Sequence, residues 1–563
     1  MSNIQCAVTA SVGLVIMNRL DIVSLSSLSP MAGAGAQLAT FAALFSVCWL
    51  LSTAYNVFIY PHYVSPYRHL PGPKGGHWFL GHFPGFFKQK YPWSIYVDWV
   101  REFPDAPVIR YLTIANHEVL VPLTREGMKE CLMTRCYEFK KTEQWLRMVL
   151  DFAGWGIVSF SGEAHRAARR MLSKPFQLSN IRKLEPIFNQ KALEMCTVME
   201  AACSSDDATG VIDAIELMAK TTLDIMGLAA LGRELSHLQS VHTDGPHGGD
   251  KEKASDGYDF HDAYQCIVSP SMTGKILLFA SGYVNVRWLP LQANREFKRA
   301  TTFLKSTLLQ LIRQRTAEVH AAMRAGTHTV QDSRDILTFI AEESLPGGGG
   351  DAEGITEETF VGNLLQIMVA GHETSATVLT WSAYIFATDH AIQDRVRAEI
   401  NALLATNPNP THADLEASLH YTDNLLKEVN RVFSPAAVTY REAAQDVVFQ
   451  GVPLRKGTVL DVIPAVTHMD PRIWGDSVDK FDPSRWEADR LTPAQADPYV
   501  FAGFSNGPRI CLGKSFALLE MKLVLVHMVP RFRFLAVERP FEIESPGLAT
   551  RPSEMQLRIE KIK

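Results

Sequence analysis

The stretch FSNGPRICLG, residues 504–513, holds a single cysteine, Cys511, inside a frame of two glycines, an aromatic residue and an arginine. With the next two residues it acquires the GKS ending of a phosphate-binding loop. Such a loop has four residues between its glycines and follows a buried strand. Here five residues separate Gly507 from Gly513, and FAGFSN, residues 501–506, is a poor strand because glycine and polar residues interrupt it. A nucleotide site is therefore a weak interpretation of this stretch.

The helix predicted after this stretch favours a different site. KSFALLEMKLVLVHMV, residues 514–529, is apolar nearly all round, which is typical of a deeply buried helix, and we expect it to end at Pro530. Cys511 lies at or just before its start. At such a position, free backbone N–H groups and the positive end of the helix dipole stabilise a thiolate. A thiolate held in this way is a suitable ligand for iron in a flat, dianionic macrocycle.

Four other residues of the stretch suit the same macrocycle: Phe504, Gly507, Arg509 and Gly513. The glycines, which lack a Cβ, let the backbone approach the ring plane. The aromatic ring can shield the sulfur from water, and the guanidinium offers a fork for a carboxylate. Together with Cys511 these residues match F-x-x-G-x-R-x-C-x-G in full. This pattern is the haem-thiolate signature of the cytochrome P-450 family, which the sequence resembles over residues 68–563.

The resemblance implies both the fold and the cofactor. We expect the cytochrome P-450 fold, mainly α with small β-sheets, preceded by an N-terminal transmembrane helix. The implied cofactor is haem b, with Cys511 as the axial thiolate ligand of its iron. Helical patterns dominate residues 178–430, and short β-like runs occur at three places: 107–121, 446–463 and 532–560. Two stretches rich in glycine and charge predict surface loops: 243–257 and 345–354.

A long helix is predicted after the second of these loops. Thr356 can cap it, two acidic residues suit its first turn, and apolar residues continue to about Ala387. Its centre, AGHETSAT at residues 370–377, places a glycine, an acid and hydroxyls in an otherwise apolar helix. We expect a local opening of the helix there, beside a buried acid. The segment resembles the family's oxygen-activation motif, which implies that Glu373 and Thr374 deliver protons.

Three further residues resemble the Glu–Arg–Arg structural triad of the family. Glu428 and Arg431 form an E-x-x-R pattern, and Arg485 lies in FDPSRW, between that pattern and the cysteine. The pattern alone is weak evidence, because Glu163 and Arg166 have the same spacing and suit an ordinary surface ion pair. The resemblance implies that the triad supports the fold and the haem pocket rather than the chemistry.

Three residues are implied to bind the haem propionates. GEAHRAARR, residues 162–170, resembles the family's W-x-x-x-R helix, with His165 in place of the tryptophan and Arg169 at the arginine position. Histidine can also donate an N–H, so His165 is a candidate whose contact with a propionate is left open. The other two arginines of this helix alternatively form a basic face for a partner protein. Arg441 resembles the strand arginine that binds the second propionate.

The composition argues against several other classes of protein. A formal net charge of −5 gives no electrostatic case for nucleic-acid binding. The eight cysteines are too sparse for a disulfide scaffold, and the absence of a C-x-x-C pair argues against a zinc ribbon. There is also no dinucleotide fingerprint and no spare length for a flavin domain. The electrons are therefore expected from a separate NADPH-cytochrome reductase.

The N-terminal region has the character of a membrane anchor. Residues 22–67 contain no Asp, Glu, Lys or Arg, and the 23 residues 38–60 are mostly apolar. At about 1.5 Å per residue they span roughly 34 Å, enough to cross a bilayer core. Basic residues concentrate after this segment, which predicts a single-pass protein of the endoplasmic reticulum membrane with a cytosolic catalytic domain. The predicted division is an anchor region, 1–67, and a haem-thiolate monooxygenase domain, 68–563. Residues 4–18 are either a second membrane contact or a signal-like segment.

The resemblance also implies the reaction, the insertion of one oxygen atom from O2 into a hydrophobic small molecule. The sequence around the haem motifs is most similar to that of membrane-bound enzymes of filamentous fungi, which implies secondary metabolism with a terpenoid or polyketide substrate. Fatty-acid or xenobiotic hydroxylation is an alternative. A haem-thiolate isomerase or dehydratase is another, although the intact GHETS argues against it. We expect substrate to enter through segments 142–160 and 268–290, and Val438 and Thr439 to line its site.

Overall fold

The helix predicted to start after Thr356 lies at the centre of the fold. In the computed structural model it runs Glu357–Thr388, and the Thr356 side chain accepts a hydrogen bond from the backbone N–H of Thr359 at 3.2 Å. Most of its side chains are buried, and its Trp381 ring stacks on Phe433 with the ring centroids 4.1 Å apart. Because this helix is buried on nearly every side, the other elements of the core pack around it.

The structure describes residues 3–19, 30–86, 88–89, 91, 93–203, 208–242, 260–268, 270–326, 335–343, 356–544 and 549–562. The two predicted surface loops, 243–257 and 345–354, lie outside the described residues.

An N-terminal unit comprises residues 1–88 and 108–121. Its elements are α1 (Asn3–Arg19), α2 (Pro30–Ala54), a π-helical continuation of α2 (Tyr55–Val64), α3 (Phe83–Phe86) and the paired strands β1 (Val108–Leu112) and β2 (Glu118–Pro122). Residues 35–64 are long and apolar enough to cross a membrane, with a mean hydropathy of 1.7, and among the described residues this is the one helix that meets the criterion. It extends beyond both ends of the predicted span, 38–60.

The larger unit comprises residues 89–107 and 122–563. Its described helices are α4 (Ser94–Glu102), α5 (Arg125–Lys129), α6 (Glu143–Phe152), α7 (Gly162–Ser173), α8 (Leu178–Ile181), α9 (Glu185–Ala202), α10 (Ala214–Leu231), α11 (Phe260–Val268), α12 (Met272–Ser281), α13 (Gln292–Arg324), α14 (Ile336–Glu343), α15 (Glu357–Thr388), α16 (His390–Thr406), α17 (His412–Ser418), α18 (His420–Val432), α19 (Pro464–His468), α20 (Pro471–Trp474) and α21 (Lys514–Arg531).

The strands of this unit form small antiparallel sheets. They are β3 (Phe139–Lys140), β4 (Thr209–Asp213), β5 (Thr439–Ala443), β6 (Val447–Phe449), β7 (Val452–Leu454), β8 (Val459–Val462), β9 (Phe532–Val537), β10 (Ile543–Glu544), β11 (Arg551–Pro552) and β12 (Gln556–Lys561). Strand β5 lies between β3 and β8, with Arg441 opposite Leu460, and β12 lies between β4 and β9. The pairs β6–β7 and β10–β11 complete the sheets.

The expected fold class, mainly α with small β-sheets, is confirmed. The predicted β-like runs contain β1, most of β2, β6 to β8, β9 to β11 and most of β12. They miss β3, β4 and β5, which are short or polar strands. Each of these pairs with a segment far away in the sequence, so its extended conformation depends on a partner that local patterning does not reveal.

Candidate functional site

The cysteine motif forms a turn that delivers Cys511 to the start of α21. A short 3₁₀ turn, Gly507–Arg509, precedes the cysteine, whose backbone N–H donates to the carbonyl of Phe504 at 2.8 Å. Helix α21 begins at Lys514 and is buried along most of its length, as predicted, and it ends at Arg531, one residue beyond the predicted end. The thiol is therefore held by a closed turn against a buried helix.

Cys511 opens into a mainly apolar cavity of about 390 Å³. Most of the predicted site residues line this cavity: Cys511, Arg509, Arg441, Arg169, His165, Phe504, Gly513 and Thr374. Val438 and Thr439 line it too, as expected for the substrate site. Two predicted site residues, Glu373 and Gly507, lie outside its lining. The fold thus gathers residues from α7, α15, β5 and the cysteine motif around one space.

The Cys511 thiol is under opposing influences. Burial raises its pKa, whereas a hydrogen bond from the backbone N–H of Gly513 and the nearby charges of Arg169 and Lys514 lower it. Burial is the larger influence, so the pKa of the thiol lies above its ordinary value. Metal coordination deprotonates a thiol outright, and a bound iron would therefore reverse this balance.

Two arginines of the cavity wall have guanidinium N–H groups without an acceptor. Arg509 donates through Nη2 to the carbonyl of Phe139 at 2.8 Å, while its Nε and Nη1 have no hydrogen-bond partner among the described residues. Arg441 donates through Nη1 to the carbonyl of Tyr440, and its buried Nε is likewise without a partner there. Burial and the charge of Arg509 lower the pKa of Arg441 to about 9. Buried cations of this kind require an anion.

The helix α7 contributes His165 and Arg169 to the same wall. Arg169 donates through Nη1 to the carbonyl of Ile510 at 2.6 Å, next to the cysteine. His165 is buried, and its Nδ1 lies 3.2 Å from the Tyr137 hydroxyl. Burial, together with the charges of Lys141 and the arginines, lowers the pKa of His165 to about 4. It is therefore a neutral imidazole, which can supply one N–H but no charge.

Lys141 is a cavity residue that the sequence analysis did not identify. Its Nζ donates to the carbonyl of Phe160 at 2.9 Å, and burial followed by the charges of Arg441 and Arg509 lowers its pKa. It lies in no recognisable motif. Only its position, next to the short strand β3, brings it beside the two arginines.

The residues present fit haem b. A thiol and an apolar cavity suit the iron and the flat ring, and the unpaired N–H groups of Arg441 and Arg509 suit two carboxylates. The resemblance to the family implied a propionate contact for Arg441, and the cysteine motif indicated that Arg509 offers a fork for a carboxylate.

Thr374 and Glu373 face different spaces. Thr374 lines the main cavity, and its hydroxyl donates to the carbonyl of Ala370 at 2.8 Å. Glu373 lines a separate chamber of about 20 Å³ together with Thr377 and Arg551. Burial raises the pKa of Glu373 to about 7, against a smaller opposing influence of Arg551. The acid and the hydroxyl are therefore neighbours in sequence that do not share a cavity.

The helix around these residues is continuous, so the predicted local opening is wrong. Helix α15 runs unbroken from Glu357 to Thr388. At Gly371 a Cβ would lie 2.8 Å from the Met226 sulfur, so the glycine provides space for a side chain of α10 rather than a break in the helix. Met226 uses that space to reach the cavity.

The structure requires glycine at position 507 for a different reason from the expected approach of the backbone to the ring plane. The φ of Gly507 is +68°, and a Cβ there would lie 2.1 Å from the carbonyl oxygen of Leu132. It is needed for a left-handed turn and for close packing against a neighbouring backbone. Gly513 has an ordinary φ of −88° and faces open space, because a Cβ there would lie 3.9 Å from its nearest neighbour, an atom of the Phe176 ring.

The Glu–Arg–Arg triad forms as the resemblance implied. Glu428 accepts hydrogen bonds from Arg431 at 2.8 and 2.9 Å, from Arg485 at 2.9 Å and from the indole of Trp486 at 2.9 Å. Both Glu428 and Arg431 are fully buried. The Glu163–Arg166 pair, with the same spacing, is exposed.

The predicted substrate segments differ in their contribution to the cavity. Segment 142–160 provides Trp145, Ile157 and Val158 to its lining. Segment 268–290 provides no lining residue among those that the structure describes.

Comparison with known proteins agrees with this geometry. The family model described as Cytochrome P-450 matches residues 70–559. Cytochrome P-450 monooxygenase sphH of Aspergillus fumigatus is 29% identical over 530 residues, covering 91% of this chain and 90% of that protein. Cytochrome P-450 monooxygenase FUM15 of Gibberella moniliformis is 27% identical, covering 85% of each chain. Cytochrome P-450 monooxygenase ALT8 of Alternaria alternata is 25% identical, covering 89% of this chain and 91% of that protein. With a family match across nearly the whole of the larger unit, the chain belongs to the cytochrome P-450 family and is a haem-thiolate monooxygenase.

Proposed function

We propose that Cys511 is the axial thiolate ligand of haem b and that Arg441, Arg509 and Arg169 hold its propionates. The observation that carries this assignment is the pair of buried arginines with unpaired N–H groups on the same cavity as the cysteine. Guanidinium groups bind carboxylates with two parallel hydrogen bonds, which suits this arrangement. We also propose that the ring N–H of His165 donates a hydrogen bond to the same carboxylates.

The bound cofactor supplies the activation of dioxygen and the transfer of one oxygen atom to the substrate. The substrate is a hydrophobic small molecule, because the cavity wall is mainly apolar. We assign the enzyme to fungal secondary metabolism, with a terpenoid or polyketide substrate, on the basis of its similarity to enzymes from several filamentous fungi.

Thr374 and Glu373 are assigned to proton delivery. The Thr374 hydroxyl donates a hydrogen bond to the Ala370 carbonyl, which leaves its oxygen able to accept a hydrogen bond from water in the cavity. Glu373, with a pKa near 7, exchanges a proton readily at neutral pH. Because the two side chains face different spaces, a proton passes between them only through water or through rotation of the acid.

The partners follow from the chemistry and from the N-terminal helix. Each turnover needs two electrons and two protons per O2, and one oxygen atom leaves as water. We assign the electrons to an NADPH-cytochrome reductase. The apolar helix at residues 35–64, with Arg68 and Lys74 after it, supports a single-pass anchor in the endoplasmic reticulum membrane with a cytosolic catalytic domain. We retain the division into an anchor region, 1–67, and a catalytic domain, 68–563.

A spectrum tests the ligand assignment. The purified, reduced protein exposed to carbon monoxide should show the shifted Soret band of a thiolate-bound haem, and Cys511→Ser should lose it. As a control, Cys196→Ser changes a buried cysteine that does not line the cavity and should keep the band. A colourless wild-type preparation, or a Cys511→Ser protein with the full band, would contradict the assignment.

Coupling of reductant use to product tests Thr374. The Thr374→Ala variant should keep the thiolate band but form at least about tenfold less product per NADPH consumed, because proton delivery is impaired. Ser382→Ala is a matched control, since the Ser382 hydroxyl also bonds back to the preceding turn of α15, at 2.8 Å from the Val378 carbonyl, but lines neither cavity. Unchanged coupling in Thr374→Ala would remove this residue from the mechanism.

A further inference from the structure

Residues 153–160, between α6 and α7, form one wall of the main cavity, and we call them the cavity loop. Ile157 and Val158 of this loop line the cavity. A segment without regular secondary structure has no ladder of its own to satisfy its backbone groups. The partners of those groups therefore decide whether the wall is fixed or movable.

On one side, amide side chains of α15 hold the loop. Asn363 accepts a hydrogen bond from the backbone N–H of Ile157 at 2.8 Å, and Gln366 accepts one from that of Val158 at 2.7 Å. Gln366 also donates through its amide nitrogen to the carbonyl of Gly154 at 2.8 Å. Both amides are buried from the protein surface, and Gln366 also lines the main cavity.

Glycines let the loop backbone approach α15 closely enough for these bonds. At Gly362 a Cβ would lie 2.1 Å from the carbonyl oxygen of Trp155. At Gly156 a Cβ would lie 2.7 Å from Oε1 of Gln366. Neither glycine has a positive φ, so close approach, rather than backbone conformation, is what requires glycine at both positions.

On the other side, Lys141 holds the carbonyls of the same residues. Its Nζ donates to Phe160 at 2.9 Å, to Ile157 at 3.5 Å and to Val158. The peptide groups of Ile157 and Val158 are thus bound through N–H to α15 and through C=O to Lys141.

We propose that Asn363, Gln366 and Lys141 are positioning residues that fix Ile157 and Val158 as a rigid cavity wall, and thereby set the size of the hydrophobic molecule that the enzyme accepts. The proposal rests on the assignment of the main cavity as the substrate site. Gln366 and Lys141 also line the main cavity, whereas Asn363 does not and acts through the loop backbone alone.

Hydrogen–deuterium exchange of the haem-loaded, full-length protein tests the clamp directly. In Gln366→Met and Asn363→Ala, the amides of Val158 and Ile157 should exchange about tenfold faster or more, which corresponds to about 1.4 kcal/mol. Gln393→Met is the control, because Gln393 is an equally buried amide that binds the backbone of Phe386 and Phe534 away from the cavity. It should leave exchange in the cavity loop unchanged.

Ligand size tests the consequence. Imidazoles bind haem iron, so the dissociation constants of 4-phenylimidazole and the bulkier 4-(biphenyl-4-yl)imidazole can be read from the absorption spectrum. The ratio of the bulky to the small ligand's Kd should fall about tenfold in Asn363→Ala, whose side chain does not line the cavity, as well as in Gln366→Met and in Lys141→Met. Lys141→Arg should restore the wild-type ratio. Gln393→Met should not change it. Faster loop exchange with an unchanged ratio, or an unchanged rate of loop exchange, would overturn the proposal.

Gly362→Ala provides a variant that does not weaken the helix. Alanine favours an α-helix over glycine, so α15 should remain folded, while the new methyl group displaces the loop backbone. Gly362→Ala should speed hydrogen exchange in the cavity loop and lower the Kd ratio, as Gln366→Met and Asn363→Ala do. If the reduced wild-type protein shows no thiolate band with carbon monoxide, the proposed function fails, whereas loop exchange in the full-length protein still decides whether the clamp exists.

Discussion

At the scale of single residues, the cysteine motif contains two glycines with different physical environments. Gly507 combines a left-handed φ with a backbone contact that leaves no space for a Cβ. Gly513 has neither restriction and instead leaves space beside the thiol. A sequence pattern treats the two positions as equivalent, although only one of them is demanded by the backbone.

Alanine substitutions should separate the two glycines. Gly507→Ala should reduce the free energy of unfolding by more than about 2 kcal/mol, because it adds both backbone strain and a clash with Leu132. Gly513→Ala should cost less than about 1 kcal/mol. Denaturant-induced unfolding of the two variants checks this order, and equal losses would contradict it.

At the scale of elements, Glu428 joins α18 to the turn Pro483–Trp486 and the segment before it. Its carboxylate binds Arg431 and Arg485, and Arg431 donates further to the carbonyls of His468 and Val478. One acid and two cations thereby satisfy the backbone of a long irregular connection.

Burial, rather than sequence spacing, should decide how much a Glu–Arg pair of the E-x-x-R pattern contributes to the free energy of unfolding. Glu428→Ala should destabilise the protein by about 3–5 kcal/mol, because it leaves two buried guanidinium groups without their carboxylate. Glu163→Ala removes the exposed pair of identical spacing and should cost less than about 1 kcal/mol. Thermal or denaturant unfolding measures both, and a similar cost for the two would show that spacing rather than burial matters.

At the scale of the whole molecule, buried acids give the fold a characteristic pH dependence. Burial raises the pKa of Glu373 to about 7 and that of Glu520 to about 8. The folded state therefore holds protons that the unfolded chain releases near pH 4.5, the ordinary value for a glutamate. Each acid makes the folded state less stable as the pH rises from about 4.5 through its folded pKa.

Glu373→Gln should remove one of these contributions. The stability of the variant relative to wild type should increase between pH 5 and pH 8, by up to about 3 kcal/mol, since one pKa unit corresponds to 1.36 kcal/mol. Melting temperatures of the two proteins across this range provide the measurement. A constant difference between them would show that Glu373 does not titrate in this window.

Much of the fold and of the site could be predicted from the sequence, because the deciding signals are local. The apolar run after Cys511 and the cap at Thr356 predicted α21 and α15 to within a residue or two of their ends. The strands β3 and β4 were missed, since their partners are distant in the chain. Strand β5 was missed because its sequence, TYREA, is largely polar, although its partner β8 is nearby.

The sequence by itself determined the family and the cofactor, because ten contiguous residues carry the haem-thiolate pattern. Only the tertiary structure decided which side chains meet. Glu373 and Thr374 are adjacent, and adjacent positions on a helix of 3.6 residues per turn point about 100° apart, so packing assigns them to separate cavities. Lys141 and the amides of α15 meet at the cavity loop although about 220 residues separate them, because long-range packing, which local patterns do not encode, brings them together.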